Sequence, residues 1–217
     1  MRIVVVGATG RTGRQVVTTA ADAGHDVLAF SRSAAAQAWP EGVSARSGSV
    51  LDADACKAAL EGADAVIVCI SMVRTSDFPW ARITTPKDLH TRAATVLTAA
   101  AVAQGVDRYV TISAHGVGDS WRRAGPLFLT LVHTSNIGVA YRNLAHAEKI
   151  VLASGLSATV IRPTRLTDGT ATGDLQVGTQ LRTTSFASIS RADVARFLVE
   201  VAVSGAHAGK CASVSNR

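Results

Sequence analysis

Three glycines at three-residue spacing form the part of the sequence that points most directly to chemistry. They stand in Gly7-Ala8-Thr9-Gly10-Arg11-Thr12-Gly13, directly after the apolar run at residues 2–6. Glycines allow a tight turn and a close approach of the backbone to a pyrophosphate, and the helix that follows offers free N–H groups. The motif therefore predicts a dinucleotide-binding turn. A turn that needs glycine only for packing is the alternative, and the strand–turn–helix–strand context disfavours it.

The residues after the second predicted strand (26–30) indicate which dinucleotide is bound. NAD-binding sites usually carry an acid here that binds the ribose 2′-hydroxyl, but this chain has Ser31-Arg32-Ser33. An arginine between two hydroxyls suits a 2′-phosphate, which an acid would repel, and Arg11 is expected to reach the same region. The sequence therefore predicts NADP(H) over NAD(H), with a solvated loop arginine as the alternative interpretation of Arg32.

Few side chains are available to orient a substrate or donate a proton. The chain has two tyrosines; Tyr109 lies in a predicted strand and Tyr141 is followed four residues later by Ala145, so a Tyr-x-x-x-Lys pair is absent. Ser113, at the end of the fifth predicted strand, is the first candidate for orienting substrate or nicotinamide. His115 is a candidate proton donor near neutral pH, and Tyr141 is a weaker one. The alternatives are a serine that caps the strand end and an ordinary loop histidine.

Composition and charge exclude several other classes. The 217 residues are 47% hydrophobic and 18% charged, with a net charge of +6, and no apolar stretch is long enough to span a membrane. The three cysteines and six histidines show no metal-ligand spacing, so no metal is expected, and the cysteine usage suits a reducing cytoplasm. The basic residues form no stripe or recognition helix, which favours a phosphorylated small molecule over nucleic acid as partner.

Neither a GxSxG elbow nor a Walker lysine is present, so hydrolase and kinase functions are disfavoured.

Strand and helix patterns alternate along the chain and predict the fold that positions the candidate site residues. Strands are expected at 2–6, 26–30, 43–46, 63–70, 108–112, 158–161 and 211–214. This alternation predicts an α/β fold, a Rossmann-type doubly wound parallel sheet of six to seven strands in a single domain, 1–217. The segments 71–87, 114–137 and 164–187 each follow a strand and are predicted to be irregular substrate loops at the carboxyl edge of the sheet.

Aromatic and cationic residues in two of these segments suggest a cleft for a flat, carboxylate-bearing substrate. They are Trp121, Arg122, Arg123, Phe128 and His133 in segment 114–137, and Phe78 and Trp80 in segment 71–87. Packing of the aromatics onto the body of the protein is an equally good interpretation. The neighbouring Glu148 and Lys149 are expected to be a solvated pair on a helix face.

Six segments, taken in order, resemble one known group of proteins. They are GATGRTG (7–13), GSVLDAD (48–54), DAVIVCIS (64–71), GVDRYVTISAHG (105–116), AEKIVLASGLSATVIRP (147–163) and ISRADVARFL (189–198). Over nearly its whole length the chain resembles the atypical short-chain dehydrogenases/reductases with NAD(P)H-binding Rossmann domains. The flavin/biliverdin reductase type is most similar in layout, and NmrA-like proteins are related to it.

The resemblance implies a role for individual positions. Gly7, Thr9, Gly10, Arg11 and Thr12 would hold the pyrophosphate, and Arg32 the 2′-phosphate. Val50 and Leu51 would flank the adenine. Cys69, Ile70 and Ser71 would line the ribose and nicotinamide, with Ser113 beside the nicotinamide and Pro163 and Thr164 near the carboxamide.

The function expected from these residues is an NADPH-dependent oxidoreductase that transfers a hydride to a small, flat or conjugated substrate of the flavin, quinone or carbonyl/enone type. It would act as a monomer or homodimer. The main alternative is an NADP-sensing regulatory protein of the NmrA-like type, because the Tyr-x-x-x-Lys pair is absent. An isomerase or epimerase is disfavoured, since such enzymes generally retain that pair.

Overall fold

Ten strands and six α-helices build the protein, and a computed structural model describes all 217 residues. The strands are β1 (Arg2–Val6), β2 (Asp26–Ser31), β3 (Val43–Ser47), β4 (Ala65–Val68), β5 (Arg108–Ile112), β6 (Ser157–Pro163), β7 (Arg165–Thr167), β8 (Leu175–Gly178), β9 (Ser188–Ser190) and β10 (Lys210–Asn216). The helices are α1 (Arg11–Asp22), α2 (Ala53–Leu60), α3 (Leu89–Ala103), α4 (Pro126–Thr134), α5 (Ile137–Leu152) and α6 (Arg191–Ser204), with 3₁₀ turns at Ala34–Ala36 and Gly118–Arg123.

The central sheet has eight strands in the order β3-β2-β1-β4-β5-β6-β10-β8. All pairings are parallel except that of β8 with β10. The strand order reverses between β1 and β4, and ligands of such sheets bind in the crevice outside the carboxyl ends at this point. The predicted doubly wound parallel sheet with helices on both faces is confirmed.

Each face of the sheet carries its own apolar core because successive strand side chains point to opposite faces. Ile3 and Val5 of β1 pack with helices α1 and α6 on one face. Val4 and Val6 pack with helices α2, α3 and α5 on the other. The unbroken apolar sequence of β1 is therefore a consequence of burial on both sides. None of the helices combines the length and apolar character needed to cross a membrane.

Two of the three segments predicted to be irregular contain regular structure. Segment 114–137 holds a 3₁₀ turn and helix α4, which begins at Pro126, where the fixed φ of proline and its missing N–H suit the first helical position. Segment 164–187 holds β7 and β8, and β8 is the eighth strand that the sequence did not predict. Its four residues are too few to show a clear alternation. Segment 71–87 has only an isolated bridge between Arg74 and Ile83.

Candidate functional site

The glycine turn brings three stretches of backbone into close contact. Gly7 has a φ of +80°, and a Cβ at this position would lie 2.6 Å from the carbonyl oxygen of Cys69. A Cβ on Gly13 would overlap the carbonyl oxygen of Gly7. Only glycine fits at either position, because a side chain would push β4 or the start of α1 away from the turn.

The start of α1 is open to an anion. No side chain caps the helix and its first turn holds no acid. The first N–H that bonds back is that of Arg14, which donates to Gly10 O at 2.9 Å, so the N–H groups of residues 11–13 have no partner. Free N–H groups and the partial positive charge of a helix N-terminus bind phosphate. A dinucleotide pyrophosphate therefore fits this turn.

The end of β2 keeps the predicted positive character. Arg32 is exposed and forms no ion pair, and the buried Ser31 hydroxyl has no hydrogen-bond partner. The guanidinium of Arg14 lies over the ring of Trp39, 5.2 Å from its centroid. Arg11 points elsewhere, since its guanidinium pairs with Asp77 and Asp168 in segments 71–87 and 164–187. The expected reach of Arg11 toward the 2′-phosphate region is therefore not seen.

The residues expected around the adenine and ribose lie at the ends of β3 and β4. Val50 and Leu51 are half-buried and pack against the core beside α2. Cys69 is buried, and burial raises the pKa of its thiol to about 12, so the thiol is unreactive. Ile70 is half-buried, whereas Ser71 is exposed and donates to the carbonyl of Met72.

A cavity of about 650 Å³ opens beside the glycine turn, at the carboxyl ends of β5 and β6. All three long segments contribute to its walls. Six of the residues predicted for the site line it: Arg11, Ser113, His115, Tyr141, Pro163 and Thr164. The structure therefore brings the three candidate catalytic residues together with Arg11 of the glycine turn.

None of the three candidate catalytic residues offers a free proton to this cavity. The Ser113 hydroxyl donates to Glu148 Oε1 at 2.6 Å. The Tyr141 hydroxyl donates to the carbonyl of His115 at 3.2 Å, and burial raises its pKa above the ordinary value. The side chain of His115 is buried, with Nδ1 2.9 Å from Ser213 Oγ and Nε2 inaccessible and unpaired.

The protonation of His115 follows from the same burial. Burial lowers its pKa, and the nearby charges of Arg162 and Arg123 lower it further, against an opposing contribution from the backbone of Arg123. The imidazole is therefore neutral at neutral pH and does not supply an imidazolium proton.

Glu148 is buried and paired, which contradicts the predicted solvated Glu–Lys face. Arg162 donates to it through two nitrogens, Nε to Oε1 at 2.9 Å and Nη2 to Oε2 at 2.6 Å. Arg162 also pairs with Asp119 at 2.6 Å. Lys149 alone is exposed. The prediction was wrong because the sequence pattern of this helix does not show that Arg162 of β6 packs against Glu148 of α5.

The predicted aromatic and cationic cleft is only partly formed. Phe128 lines the cavity, whereas Trp121, Arg122 and His133 are exposed outside its lining, and Arg123 pairs with Asp119. Phe78 and Trp80 are also outside the lining, 63% and 48% exposed, with ring centroids 5.2 Å apart.

The cations of the cavity come from other positions, namely Arg11, Arg74, Arg165 and Arg191. Asp168 pairs with two of them, Arg11 and Arg191. Arg74 and Arg165 have no acidic partner, and Arg74 donates to the carbonyl of Phe78 at 2.8 Å. Sequence reasoning missed Arg74, Arg165 and Arg191 as cavity residues, because the first two lie in no motif and Arg191 had no role assigned within segment 189–198.

Asp193 is a second buried carboxylate that the sequence analysis did not assign to the site. Ser190 caps α6 by accepting from the N–H of Asp193. The carboxylate itself accepts from the N–H groups of Thr172 and Gly173 and from Asn216 Nδ2. It therefore holds segment 164–187 and the end of β10 to the start of α6.

Comparison with known proteins identifies the class to which this fold and site belong. The sequence model of a family described as NAD(P)H-binding matches residues 7–204, so the chain belongs to the NAD(P)H-binding family. The expected resemblance to NAD(P)H-binding Rossmann proteins is thereby confirmed. No curated protein sequence matches the chain.

Solved structures with the same fold include three informative examples. ChuY of Escherichia coli O157:H7, described as an anaerobilin reductase, is 25% identical, with a TM-score of 0.78 over 99% of this chain and 96% of that one. The oxidoreductase YlbE of Lactococcus lactis is 23% identical, with a TM-score of 0.81 over 100% and 91%. A short-chain dehydrogenase/reductase of Veillonella parvula in complex with NADP is 14% identical, with a TM-score of 0.80 over 98% and 93%.

Proposed function

We propose that the protein is an NADPH-dependent reductase that transfers a hydride to a flat or conjugated substrate. The observation that carries this proposal is the position of the 650 Å³ cavity, which is lined by Arg11 of the glycine turn and by Ser113 and Pro163 beyond it. A dinucleotide held at the turn would extend its nicotinamide along the ends of β4 and β5 toward this cavity. The reduced nicotinamide supplies the hydride when bound.

The proposed preference for NADPH rests on charge. Arg32 is exposed beyond β2 without an acidic partner, and no acid stands where a ribose 2′-hydroxyl would be bound. The remaining cofactor residues proposed are Gly7, Thr9, Gly10, Arg11, Thr12, Val50, Leu51, Cys69, Ile70, Ser71, Ser113, Pro163 and Thr164. The NADP complex of the Veillonella protein, which has the same fold, is consistent with this assignment.

The hydrogen bonds in the cavity favour hydride transfer that needs no protein acid. Ser113 and Tyr141 commit their hydroxyl hydrogens to protein acceptors, and His115 is neutral with an inaccessible Nε2. A ketone needs a donor on its oxygen as the hydride arrives. A conjugated substrate delocalises the negative charge, so solvent can deliver the proton afterwards.

The unpaired arginines suggest that the substrate is also anionic. Arg74 and Arg165 line the cavity without acidic partners, and a carboxylate would pair with either guanidinium. ChuY, which has the same fold, is described as an anaerobilin reductase, and this supports a reductase function. The proposed substrate class is therefore a conjugated molecule with a carboxylate, taken up by segments 71–87, 114–137 and 164–187.

The test is oxidation of NADPH and NADH, followed by absorbance, against a panel of a flavin, a quinone, a linear tetrapyrrole and a simple ketone. Steady turnover with a conjugated member and none with the ketone supports the proposal. Binding of NADP⁺ without turnover on any member would instead favour an NADP-sensing regulatory protein. The variant Arg165→Ala should raise KM for the anionic substrate about tenfold, whereas Arg196→Ala, at an exposed position without an ion pair, should leave KM unchanged.

A further inference from the structure

Ser113 and Glu148 form a buried contact that the proposed reaction does not use. The Ser113 hydroxyl carries a single hydrogen, and that hydrogen points to Glu148 Oε1 at 2.6 Å. A serine oxygen keeps two lone pairs when its hydrogen is committed. The side of Ser113 that faces the cavity therefore accepts hydrogen bonds and does not donate them.

Glu148 cannot turn away from this contact. Its side chain and that of Arg162 are 6% and 4% exposed, and two nitrogens of Arg162 bind its two carboxylate oxygens. Such a forked pair fixes the plane of the carboxylate. Arg162 is held in turn by Asp119, at 2.6 Å, on the 3₁₀ turn that follows β5. The orientation of the Glu148 carboxylate, and with it the acceptor role of Ser113, is therefore fixed by the packing of α5 on β6.

We propose that Glu148 is a positioning residue that keeps Ser113 a hydrogen-bond acceptor, so that the site selects the carboxamide of nicotinamide over the carboxylate of nicotinic acid. The proposal rests on the proposed function, since it requires the nicotinamide to lie beside Ser113 with its carboxamide, expected near Pro163 and Thr164 in the same cavity, within reach of the serine hydroxyl. A carboxamide has an N–H donor for the serine lone pair. A carboxylate has none, so it would meet the serine lone pair without forming a hydrogen bond.

The test measures binding, by titration calorimetry, of NADP⁺ and of its analogue in which the carboxamide is a carboxylate. The wild-type protein is expected to bind NADP⁺ at least about tenfold more tightly than the analogue. The variant Ser113→Ala removes the acceptor and should reduce this preference to less than about threefold.

The paired variant Glu148→Met with Arg162→Met tests the role of Glu148 itself. It removes both buried charges together, so neither is left without a partner, and such replacements are tolerated far better than single ones. The Ser113 hydroxyl is then free to donate to a carboxylate, and the preference should again fall below about threefold. Adding Ser113→Ala to the pair should cause no further fall, because the two changes act through one hydroxyl. The surface variant Glu200→Gln, at an exposed position outside any ion pair, should keep the full preference.

The outcomes separate the two proposals. If the wild type binds neither dinucleotide, both fail. If it binds both equally, the selection by Ser113 is refuted while the proposed function stands. If the paired variant folds with an unchanged circular dichroism spectrum and keeps the wild-type preference, Glu148 has only a structural role and the inference is wrong.

Discussion

Replacement of Asp193 by asparagine should show how strongly this carboxylate stabilises the contact of segment 164–187 with the start of α6. The carboxylate is 1% exposed and accepts from Gly173 N at 2.9 Å, Thr172 N at 3.0 Å and Asn216 Nδ2 at 2.9 Å. An asparagine has one acceptor oxygen, so its NH₂ group would face at least one of these donors. With about 1.5–3 kcal/mol for each hydrogen bond to a charged group, we expect a loss of about 3 kcal/mol in the free energy of unfolding. For a chain of this size that lowers Tm by about 6–12 °C.

The pH dependence of this loss identifies its cause. The hydrogen bonds hold the pKa of Asp193 well below its usual value in the folded protein, against the opposing effect of burial. Its contribution is therefore complete above the unfolded pKa of about 3.9 and is lost as the pH falls below that value toward the folded pKa.

Urea unfolding of wild type and variant should thus differ by about 3 kcal/mol near pH 7 and converge below about pH 4. The exposed Asp22, which forms no ion pair, provides the control, and Asp22→Asn should change stability by less than about 0.5 kcal/mol at either pH. A gap for Asp193→Asn that stays constant across this pH range, or one below about 1 kcal/mol near neutrality, would refute the reasoning.

Three other changes have expected outcomes. Gly13→Ala should abolish dinucleotide binding measured by calorimetry, because the added Cβ overlaps the Gly7 carbonyl; retained binding would show that the turn relaxes. Arg32→Ala should weaken NADPH binding about tenfold with no effect on NADH, and an equal effect on both would remove its assignment to the 2′-phosphate. Tyr141→Phe should lower kcat less than about threefold and the free energy of unfolding by about 1 kcal/mol, because the tyrosine hydroxyl only donates to the His115 carbonyl. A larger fall in kcat would show that Tyr141 acts as a proton donor.

The fold of the protein was predictable because it depends on local sequence patterns. The glycine turn, the unbroken apolar β1 and the helical spacing after it are all contained in the first 30 residues, and the parallel sheet follows from their repetition. β8 was missed because its four residues are too few to show a clear alternation of apolar and polar side chains. Helix α4 was missed because an apolar run after Gly125-Pro126 was taken for part of a loop.

The site was predictable only where a motif surrounds its residues. Ser113 follows β5 and Pro163 is the last residue of the neighbouring β6, and both line the cavity. The partner of Ser113 was not predictable, because Glu148 and Arg162 meet only when α5 packs on β6. A glutamate next to a lysine has the same appearance in a sequence whether it faces solvent or a buried guanidinium.

The two ion pairs of Arg11 connect the glycine turn to the walls of the cavity. Asp77 and Asp168 belong to different walls of the cavity, and both carboxylates meet the arginine that follows Gly10. The residues proposed to bind the cofactor and those proposed to enclose the substrate are therefore in electrostatic contact in the protein without ligands. A phosphate bound at the turn as proposed would compete for the same guanidinium, so changes in either wall would alter the strength of cofactor binding. On this proposal, a new substrate range would not evolve independently of the affinity for the dinucleotide.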